Sequence, residues 1–305
     1  MRENFRINEE NKNTIIENVP DFDLSQTLEC GQCFRFYKQG DNDYVVVAKK
    51  RLLHIKQVNQ DLIFIDTDRR TVEEIWIPYF DLARDYRKIK EFLLRKDETL
   101  RLAIEEKCGV RILNQEFHET LISFIISQNK QIPHIKQIVK AISNQYGEYL
   151  GEVNGEAYYS FPDVEVLGNI SEDEYRSMKT GFRAPYLREA SIKLANGDIC
   201  VEMFAGQDKT YAQQKLTEVK GVGEKVANCV MLFSLGYREA FPVDVWIKRI
   251  METLYFKEET PKKVIQEFAR KQYGEYGGYA QQYLFCFGRD LKLGTKSEKI
   301  NVKKL

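Results

Sequence analysis

The feature that most constrains this chain is a short glycine hairpin that runs directly into a helix. Gly221 and Gly223 flank a single valine, and Lys225 falls in what the pattern predicts as the first helical turn. Glycines leave backbone N–H groups uncovered, and the N-terminus of a helix adds partial positive charge. The stretch 216–225 therefore predicts a surface that docks phosphate groups.

Lys225 has two interpretations. A cation is disfavoured near a helix N-terminus, so this position favours the free amine, which is the nucleophilic form of lysine. At pH 7 an ordinary lysine is unprotonated in only about one molecule in 2,500. Taken alone, the residue is therefore better interpreted as a phosphate contact or as a solubilising group at a helix start.

Asp244 changes that balance. It follows shortly after Pro242, which ends any preceding helix, so it is predicted to open the next one. A carboxylate there is a favourable N-cap, which is the plain interpretation. It could also stabilise the positive charge that grows on a sugar carbon as a base departs. The hairpin, the lysine and the aspartate together indicate an enzyme acting on nucleic acid.

Composition limits the kinds of partner that the chain can bind and the compartments in which we expect it. The 305 residues are 43% hydrophobic, which predicts a folded protein of one large or two ordinary domains. The 46 basic residues are balanced by 46 acidic ones, so any nucleic-acid binding must rest on a local patch. No apolar run approaches the ~18 residues of a membrane span, and the polar start argues against a secretory signal. We expect a cytoplasmic protein without membrane contact, and a monomer.

Six cysteines raise the question of a metal site. Cys30 and Cys33 form a C-x-x-C, but no second pair or suitably spaced histidines accompany them. The C-terminal region also lacks the four clustered cysteines of an iron–sulfur centre. The sequence therefore predicts no metal ligands.

The order of periodicities predicts an α+β fold. Short apolar or β-branched runs separated by turn residues predict an antiparallel sheet, and a helix is expected at about 85–95. From about residue 97 the period becomes helical, with Thr260 expected to cap a helix and the tail 295–299 expected to fray. We therefore predict a sheet domain over residues 1–96 and a larger, all-helical domain over 97–305. The runs expected as strands are 34–37, 44–47, 52–55 and 62–65.

The hairpin region resembles the helix-hairpin-helix DNA glycosylases of base excision repair. A lysine at position 225 is similar to the bifunctional members, which also cleave at the abasic site, and the best match among them is the 8-oxoguanine DNA glycosylases. The likeness extends over nearly the whole chain through the stretches 30–35, 124–129, 181–184 and 279–285. It implies excision of 8-oxoguanine from duplex DNA, with Lys225 and Asp244 as the catalytic residues.

The resemblance also implies how the damaged base is held. Gly31 would accept a hydrogen bond from N7–H of 8-oxoguanine, Gln281 would read the Watson–Crick edge, and Phe285 would stack on the ring. Gln281 and Phe285 are four residues apart and so share a helix face. Without the resemblance, Gly31 would be a turn glycine, Phe285 a core residue and Gln281 a surface residue.

Cys229 lies one helical turn after Lys225, so the sulfur and the amine can meet. In the family the corresponding cysteine lies against the flipped base, where a thiolate–ammonium pair would oppose the dipole of 8-oxoguanine. The alternative is a buried helix cysteine packed among apolar neighbours. Spacing alone leaves both interpretations open.

Further positions are implied to contact DNA. Gly221 and Gly223 would grip the backbone, Asn129 would fill the space vacated by the flipped base, and Arg183 would contact the orphaned partner base. By the same likeness, a monovalent cation would bridge hairpin carbonyls to a DNA phosphate, and no other cofactor is required.

Three positions depart from the eukaryotic-type members. His134 stands where they have arginine, Phe182 where they have tyrosine, and Trp246 where they have histidine. The first two changes predict relaxed specificity for the base opposite the lesion, because a guanidinium contact to a base contributes about 1–3 kcal/mol of discrimination.

Two other functions remain open on the sequence. A monofunctional glycosylase for another damaged base would keep Asp244 and activate water, although such members usually lack a lysine at position 225. A non-catalytic hairpin module would bind DNA through its backbone alone.

Overall fold

The computed structural model describes residues 5–294, so the predicted frayed tail 295–299 lies outside the described residues. A six-stranded antiparallel sheet occupies the N-terminal part, in the spatial order β1-β2-β6-β5-β4-β3. Its strands are β1 (Arg6–Glu10), β2 (Asn13–Glu17), β3 (Phe36–Gly40), β4 (Asp43–Ala48), β5 (Arg51–Val58) and β6 (Asp61–Ile65).

Helices make up most of the rest of the chain. They are α1 (Leu24–Glu29), α2 (Arg69–Thr71), α3 (Ile77–Tyr79), α4 (Tyr86–Lys96), α5 (Arg101–Glu106), α6 (Phe117–Ile126), α7 (Ile132–Tyr146), α8 (Val164–Asn169), α9 (Glu172–Ser177), α10 (Ala184–Ala195), α11 (Lys209–Thr217), α12 (Glu224–Ser234), α13 (Val245–Met251), α14 (Lys262–Tyr273) and α15 (Gly277–Asp290). Helices α1 and α3 pack on the sheet core, and most of the others surround a second, larger core. The predicted α+β fold is confirmed, because the sheet is antiparallel and the helices are segregated from it.

The larger domain differs from its predicted all-helical form at one place. It contains a hairpin of two strands, β7 (Tyr149–Val153) and β8 (Glu156–Tyr159). Asn154 and Gly155 form its turn with φ of 52° and 79°, the positive values that a two-residue hairpin turn requires. The Asn-Gly pair is the sequence signal that predicts such a turn.

This hairpin explains why β4 is apolar without interruption. Val46 lies in the core between the sheet and its own helices, whereas Val45 and Val47 point to the opposite face. There they pack against Tyr158 of β8, so both faces of β4 are covered. Burial on two faces requires a continuous apolar run rather than alternation.

The two cores do not divide at a single point of the sequence. Side chains of α4, such as Ile89 and Leu93, lie in the larger helical core, whereas Leu113 lies in the sheet core. Cys30 and Phe34, which precede β3, also belong to the larger core. The domain division at residue 96 stays a prediction, and the cores interlock around it.

Buried arginines join the two parts. Arg35 makes a two-pronged ion pair with Glu119 of α6, at 2.9 and 3.1 Å, and donates to the carbonyl of Tyr159. Arg111, from the chain after residue 97, is almost fully buried and donates to backbone carbonyls of the N-terminal part, including those of Pro20 and Asp81. Because removing either guanidinium would strand buried acceptors, these contacts hold the sheet against the helices.

The start of α14 differs from the predicted one by one residue. Thr260 was expected to be the cap, but Pro261 occupies that position and Lys262 begins the helix. The fixed φ of proline suits a position just outside the first turn as well as one inside it. Among residues 5–294, no helix is long and apolar enough to cross a bilayer.

Candidate active site

A cavity of about 410 Å³ opens between the sheet part and the helices. It gathers residues from five separate stretches of the chain, among them α12 and α15. Every residue that the sequence analysis assigned to catalysis or base recognition contributes to its wall. These residues are Gly31, Lys225, Cys229, Asp244, Gln281 and Phe285.

The glycine hairpin positions the helix that carries the lysine. Gly221 adopts φ +83°, and a Cβ placed there would lie 2.6 Å from Cγ of Tyr186, so only glycine fits. Its carbonyl accepts a hydrogen bond of 3.0 Å from Nε2 of Gln128. Gly223 is exposed and forms the N-cap of α12. The hairpin is thus anchored on one side and open to solvent on the other.

Lys225 lies in the first turn of α12, as predicted, and its side chain reaches into the cavity. Its Nζ donates to Oγ of Ser127 over 3.1 Å and lies 5.2 Å from the ring centre of Phe124. An aromatic face and a hydroxyl both hold the amine in one place. The nitrogen is therefore positioned before any substrate arrives.

Asp244 fits both interpretations at once. It is the N-cap of α13, where its carboxylate accepts a hydrogen bond of 2.8 Å from the backbone N–H of Ile247. The same carboxylate lines the cavity that contains Lys225. The cap fixes the direction of the side chain, which is what an electrostatic role in the cavity requires.

Gly31 is held in the cavity wall by its neighbour. Gln32 is fully buried and bonds three backbone groups, at Thr27, Arg111 and Leu113, over 2.8–2.9 Å. Gly31 itself has φ +90°, and a Cβ there would press on Ile132 and on the guanidinium of Arg289. The Cys-Gly-Gln-Cys stretch is therefore a rigid loop that brings a bare backbone to the cavity.

Two predicted residues of α15 meet the cavity. Gln281 is only 4% exposed, so it is not the surface residue of the plain interpretation. Its Nε2 lies 3.3 Å from the carbonyl of Pro242, and its Oε1 accepts a hydrogen bond from Gln282. Phe285 is half-buried and keeps part of its ring on the cavity. The amide is thus oriented, and the ring is open to a ligand.

Cys229 supports the neutral interpretation. Burial raises the pKa of this thiol to about 11; the nearby Lys225 lowers it and Asp244 raises it further, so burial outweighs the attraction of the amine. At neutral pH the group is a thiol rather than a thiolate. In the DNA-free protein the buried-cysteine interpretation is therefore favoured over the charged pair.

The predicted DNA contacts divide into two kinds. Asn129, with φ 49°, and His134, in the first turn of α7, are both exposed, and Phe182 is 56% exposed. Arg183 differs, being only 3% exposed. Its guanidinium donates to the carbonyls of Gln128 and Thr180 and lies over the ring of Phe182.

Arg183 therefore does not present its charge to an incoming strand in this state. It joins the loop after α6 to the loop before α10. Its contact with the orphaned base stays a prediction.

The cavity also contains residues to which the sequence analysis gave no role. Ser127 accepts the hydrogen bond that positions Lys225. It belongs to the stretch 124–129 that resembles the family, but no role was predicted for it. Arg289 follows Phe285 by one helical turn, a spacing that places it on the same face. Trp246, noted only as a departure from the family, lines the cavity beside Asp244. Among residues 5–294 there is no cluster of three His, Cys, Asp or Glu side chains that could hold a metal ion.

Comparison with known proteins identifies the family of the chain. Residues 14–121 match the family model of the 8-oxoguanine DNA glycosylase N-terminal domain, and residues 122–273 match that of the HhH-GPD superfamily of base excision DNA repair proteins. The chain is 32% identical to a probable N-glycosylase/DNA lyase of Methanothermobacter thermautotrophicus, over 89% of this chain and 95% of that protein. It is 29% identical to an N-glycosylase/DNA lyase of Arabidopsis thaliana, over 86% and 76%.

A solved structure gives the same result. The 8-oxoguanine glycosylase/lyase of Clostridium acetobutylicum, crystallised with double-stranded DNA containing cytosine opposite 8-oxoguanine, superimposes with a TM-score of 0.91 at 36% identity. The match covers 94% of this chain and 99% of that one. With the fold, the cavity and these relatives in agreement, the chain belongs to the 8-oxoguanine DNA glycosylase family of the HhH-GPD superfamily.

Proposed function

We propose that this protein excises 8-oxoguanine from double-stranded DNA and then cleaves the abasic site by β-elimination through a Schiff base on Lys225. The observation that carries the proposal is the single cavity that brings Lys225 and Asp244 together with the base-recognition residues. A binding module without chemistry has no need of an amine and a carboxylate facing one enclosed space.

Recognition begins when the damaged nucleotide leaves the stack, which costs a few kcal/mol. The carbonyl of Gly31 accepts N7–H of 8-oxoguanine, while Gln281 faces the Watson–Crick edge and Phe285 the plane of the ring. Guanine has a lone pair at N7 instead of N–H. An unmade buried hydrogen bond costs about 1–3 kcal/mol, so this contact supplies useful but incomplete discrimination.

Base removal requires the free amine of Lys225. Its Nζ attacks C1′, the bond from C1′ to N9 breaks, and the electron pair leaves with the purine, which gains a proton. Asp244 stabilises the positive charge that develops on the sugar. A preoriented charge of this kind is effective because the cavity is partly shielded from water.

Strand cleavage follows from the covalent product. Opening of the sugar ring leaves an iminium between Nζ of Lys225 and C1′. Loss of a proton from C2′ then expels the 3′ phosphate and leaves an unsaturated sugar on the enzyme. Water hydrolyses the imine and restores the lysine, so this chemistry uses no organic cofactor.

We also propose that a monovalent cation joins the hairpin around Gly221 to a DNA phosphate. The hairpin offers backbone carbonyl oxygens, which suit a hard cation better than a transition metal. The test is DNA affinity in potassium chloride against tetramethylammonium chloride at equal ionic strength. Weaker binding with the bulky cation is expected, and equal binding would remove the proposal. The cytoplasmic location and the monomeric state stay predictions.

Duplexes carrying 8-oxoguanine opposite each of the four bases test the main proposal. Base release and strand nicking are measured separately for the wild type and for Lys225→Gln. We expect the variant to lose both activities by about 1,000-fold or more, the scale seen when an enzyme loses its nucleophile. Lys271→Gln is the matched control, since Lys271 is 72% exposed on α14 and lies outside the cavity.

The rival functions give other outcomes. A monofunctional enzyme would release base in the wild type without nicking, and would retain release in the Lys225→Gln variant. A binding module would show neither activity in the parent protein.

A further inference from the structure

Arg289 is one of the polar groups of the cavity that the mechanism above leaves unused. Its Nη2 donates to the carbonyl of Glu29 over 3.1 Å, and its Cζ lies 5.4 Å from the ring centre of Phe285. Its Nη1 is buried and, within the part of the chain that the structure describes, has no hydrogen-bond partner. A buried charged donor without an acceptor is costly, so its position needs an explanation.

Nη1 lies close to the backbone of Gly31, the residue proposed to accept the hydrogen bond from N7–H. It lies 3.2 Å from the point that a Cβ on Gly31 would occupy, and the ring of Phe285 lies 3.6 Å from the same point. Gly31, Phe285 and Arg289 therefore meet at one end of the cavity. A ligand edge at the Gly31 backbone would therefore lie beside Arg289, and a small turn of the guanidinium would bring the covered Nη1 against it.

The order of residues along α15 identifies which edge of the flipped purine faces Arg289. Gln281, Phe285 and Arg289 follow one another at intervals of four residues, each interval rising about 6 Å along one helix face. With Gln281 at the Watson–Crick edge and Phe285 under the ring, the five-membered ring of the purine points towards Arg289. That edge carries N7 and C8.

We propose that Arg289 is a specificity-determining residue that donates from Nη1 to the O8 oxygen of the flipped base. This inference rests on the proposed function, since it assumes that 8-oxoguanine occupies the cavity. The two atoms that distinguish 8-oxoguanine from guanine are then read by separate groups, N7–H by the carbonyl of Gly31 and O8 by Arg289. Guanine has only C8–H at that place, which would leave Nη1 without an acceptor, although Nη2 keeps its ion pair with Asp290 at 3.4 Å.

The test must separate the O8 contact from a purely structural role. Losing the bond from Nη2 to Glu29 could shift the Gly31 loop and weaken recognition of N7–H. A duplex with 7,8-dihydro-8-thioguanine resolves this, because the thio base keeps N7–H but replaces O8 with sulfur, a weak acceptor. A displaced loop would weaken binding of both lesions alike, whereas loss of the O8 contact would weaken binding of 8-oxoguanine more than that of 8-thioguanine.

The experiment measures dissociation constants of the full chain in a Lys225→Gln background, so that no base is removed during the titration. Duplexes carry 8-oxoguanine, 8-thioguanine or guanine opposite cytosine. Arg289→Leu is compared with Arg270→Leu, a matched change at a residue that is 70% exposed on α14. Arg289→Lys is the milder variant and decides the question if Arg289→Leu fails to fold.

Hydrogen bonds to charged groups contribute enough to change an affinity by about 10- to 150-fold. We expect the preference for 8-oxoguanine over 8-thioguanine to fall by about tenfold in Arg289→Leu, to fall less in Arg289→Lys, and to stay unchanged in Arg270→Leu. An unchanged preference in both Arg289 variants would overturn the inference alone. A Lys225→Gln parent that binds 8-oxoguanine no better than guanine would overturn the proposed function as well.

Discussion

The cavity differs in construction from the exposed surface formed by Asn129, His134 and Phe182. We call this surface the opposite-strand surface after the DNA strand that it is predicted to contact. In the cavity each reactive group is already held by a bond within the protein, as Lys225 is by Ser127 and Asp244 by the Ile247 N–H. The three residues of the opposite-strand surface are exposed, on a loop or a first turn.

The difference follows from what each region has to do. Chemistry at a sugar carbon needs groups that do not reorganise during the reaction, so preorganised contacts are favoured. Reading a partner base requires only contacts that form when DNA arrives. Two of the departures from the eukaryotic-type pattern, at His134 and Phe182, lie on this surface. We therefore expect changes in the cavity to affect rate, and changes on the surface to affect only the choice of partner base.

After the loss of Lys225 itself, the largest expected effect is that of Asp244→Asn. Asparagine caps a helix as well as aspartate does, so the free energy of unfolding should be unchanged. The negative charge is lost, and single-turnover excision should slow by about 100- to 1,000-fold. Asp208→Asn is the matched control, because Asp208 caps α11 through the N–H of Tyr211 and lies outside the cavity. Equal rates for the two variants would contradict the role of Asp244.

A substitution at Gly221 tests whether the hairpin must be rigid to position α12. Alanine there must adopt φ +83° and overlap the Tyr186 ring, so Gly221→Ala should lower the free energy of unfolding by about 2–4 kcal/mol. DNA affinity should fall as well, because the start of α12 moves. Gly223→Ala has φ −88° and open space around it, and should cost about 1 kcal/mol or less. Denaturant titration of both variants measures the contrast, and equal losses would refute it.

A pH titration of stability sharpens the assignment of Cys229. The unfolded thiol titrates near 9.0, whereas burial raises the pKa of the folded thiol to about 11. The folded state therefore keeps a proton that the unfolded state loses, and this contribution is lost as pH rises from 9 to 11. The wild type should lose about 2–3 kcal/mol more than Cys229→Ala over that range. Parallel curves would show that the pKa of the folded thiol is not raised and would contradict this assignment.

The smallest effect belongs to the opposite-strand surface. The present residues predict relaxed specificity for the base opposite the lesion. Restoring the guanidinium with His134→Arg should favour cytosine by about 1–3 kcal/mol, with little change in the rate opposite cytosine itself. Phe182→Tyr should act in the same direction. Fast cleavage opposite cytosine alone in the wild type would show that the surface is already selective, and our comparison would then fail.

The hairpin and the two catalytic candidates could be predicted from the sequence because each depends on the residues next to it in the chain. The hairpin glycines, the lysine in a first turn and the aspartate after a proline each have a backbone reason for their position. Such features can be read from a few neighbouring residues. Gly31, Gln281 and Phe285 were implied only by the resemblance to the family, and helical spacing added only that Gln281 and Phe285 share a helix face.

The features that the sequence did not predict depend on contacts between distant segments. The burial of Arg183 arises from carbonyls of two separate loops, and the unpaired nitrogen of Arg289 is meaningful only beside Gly31. The β7–β8 hairpin is the exception, since the Asn-Gly pair at 154–155 was a local signal that the surrounding helical pattern obscured.

The most direct test of the account is to locate the covalent bond. The protein is incubated with a duplex containing 8-oxoguanine in the presence of borohydride, which reduces an imine to a stable amine. The trapped complex is digested, and mass spectrometry identifies the residue attached to the sugar. We predict a single adduct on Nζ of Lys225. Adduct on another amine, or base release with no adduct at all, would contradict the central claim.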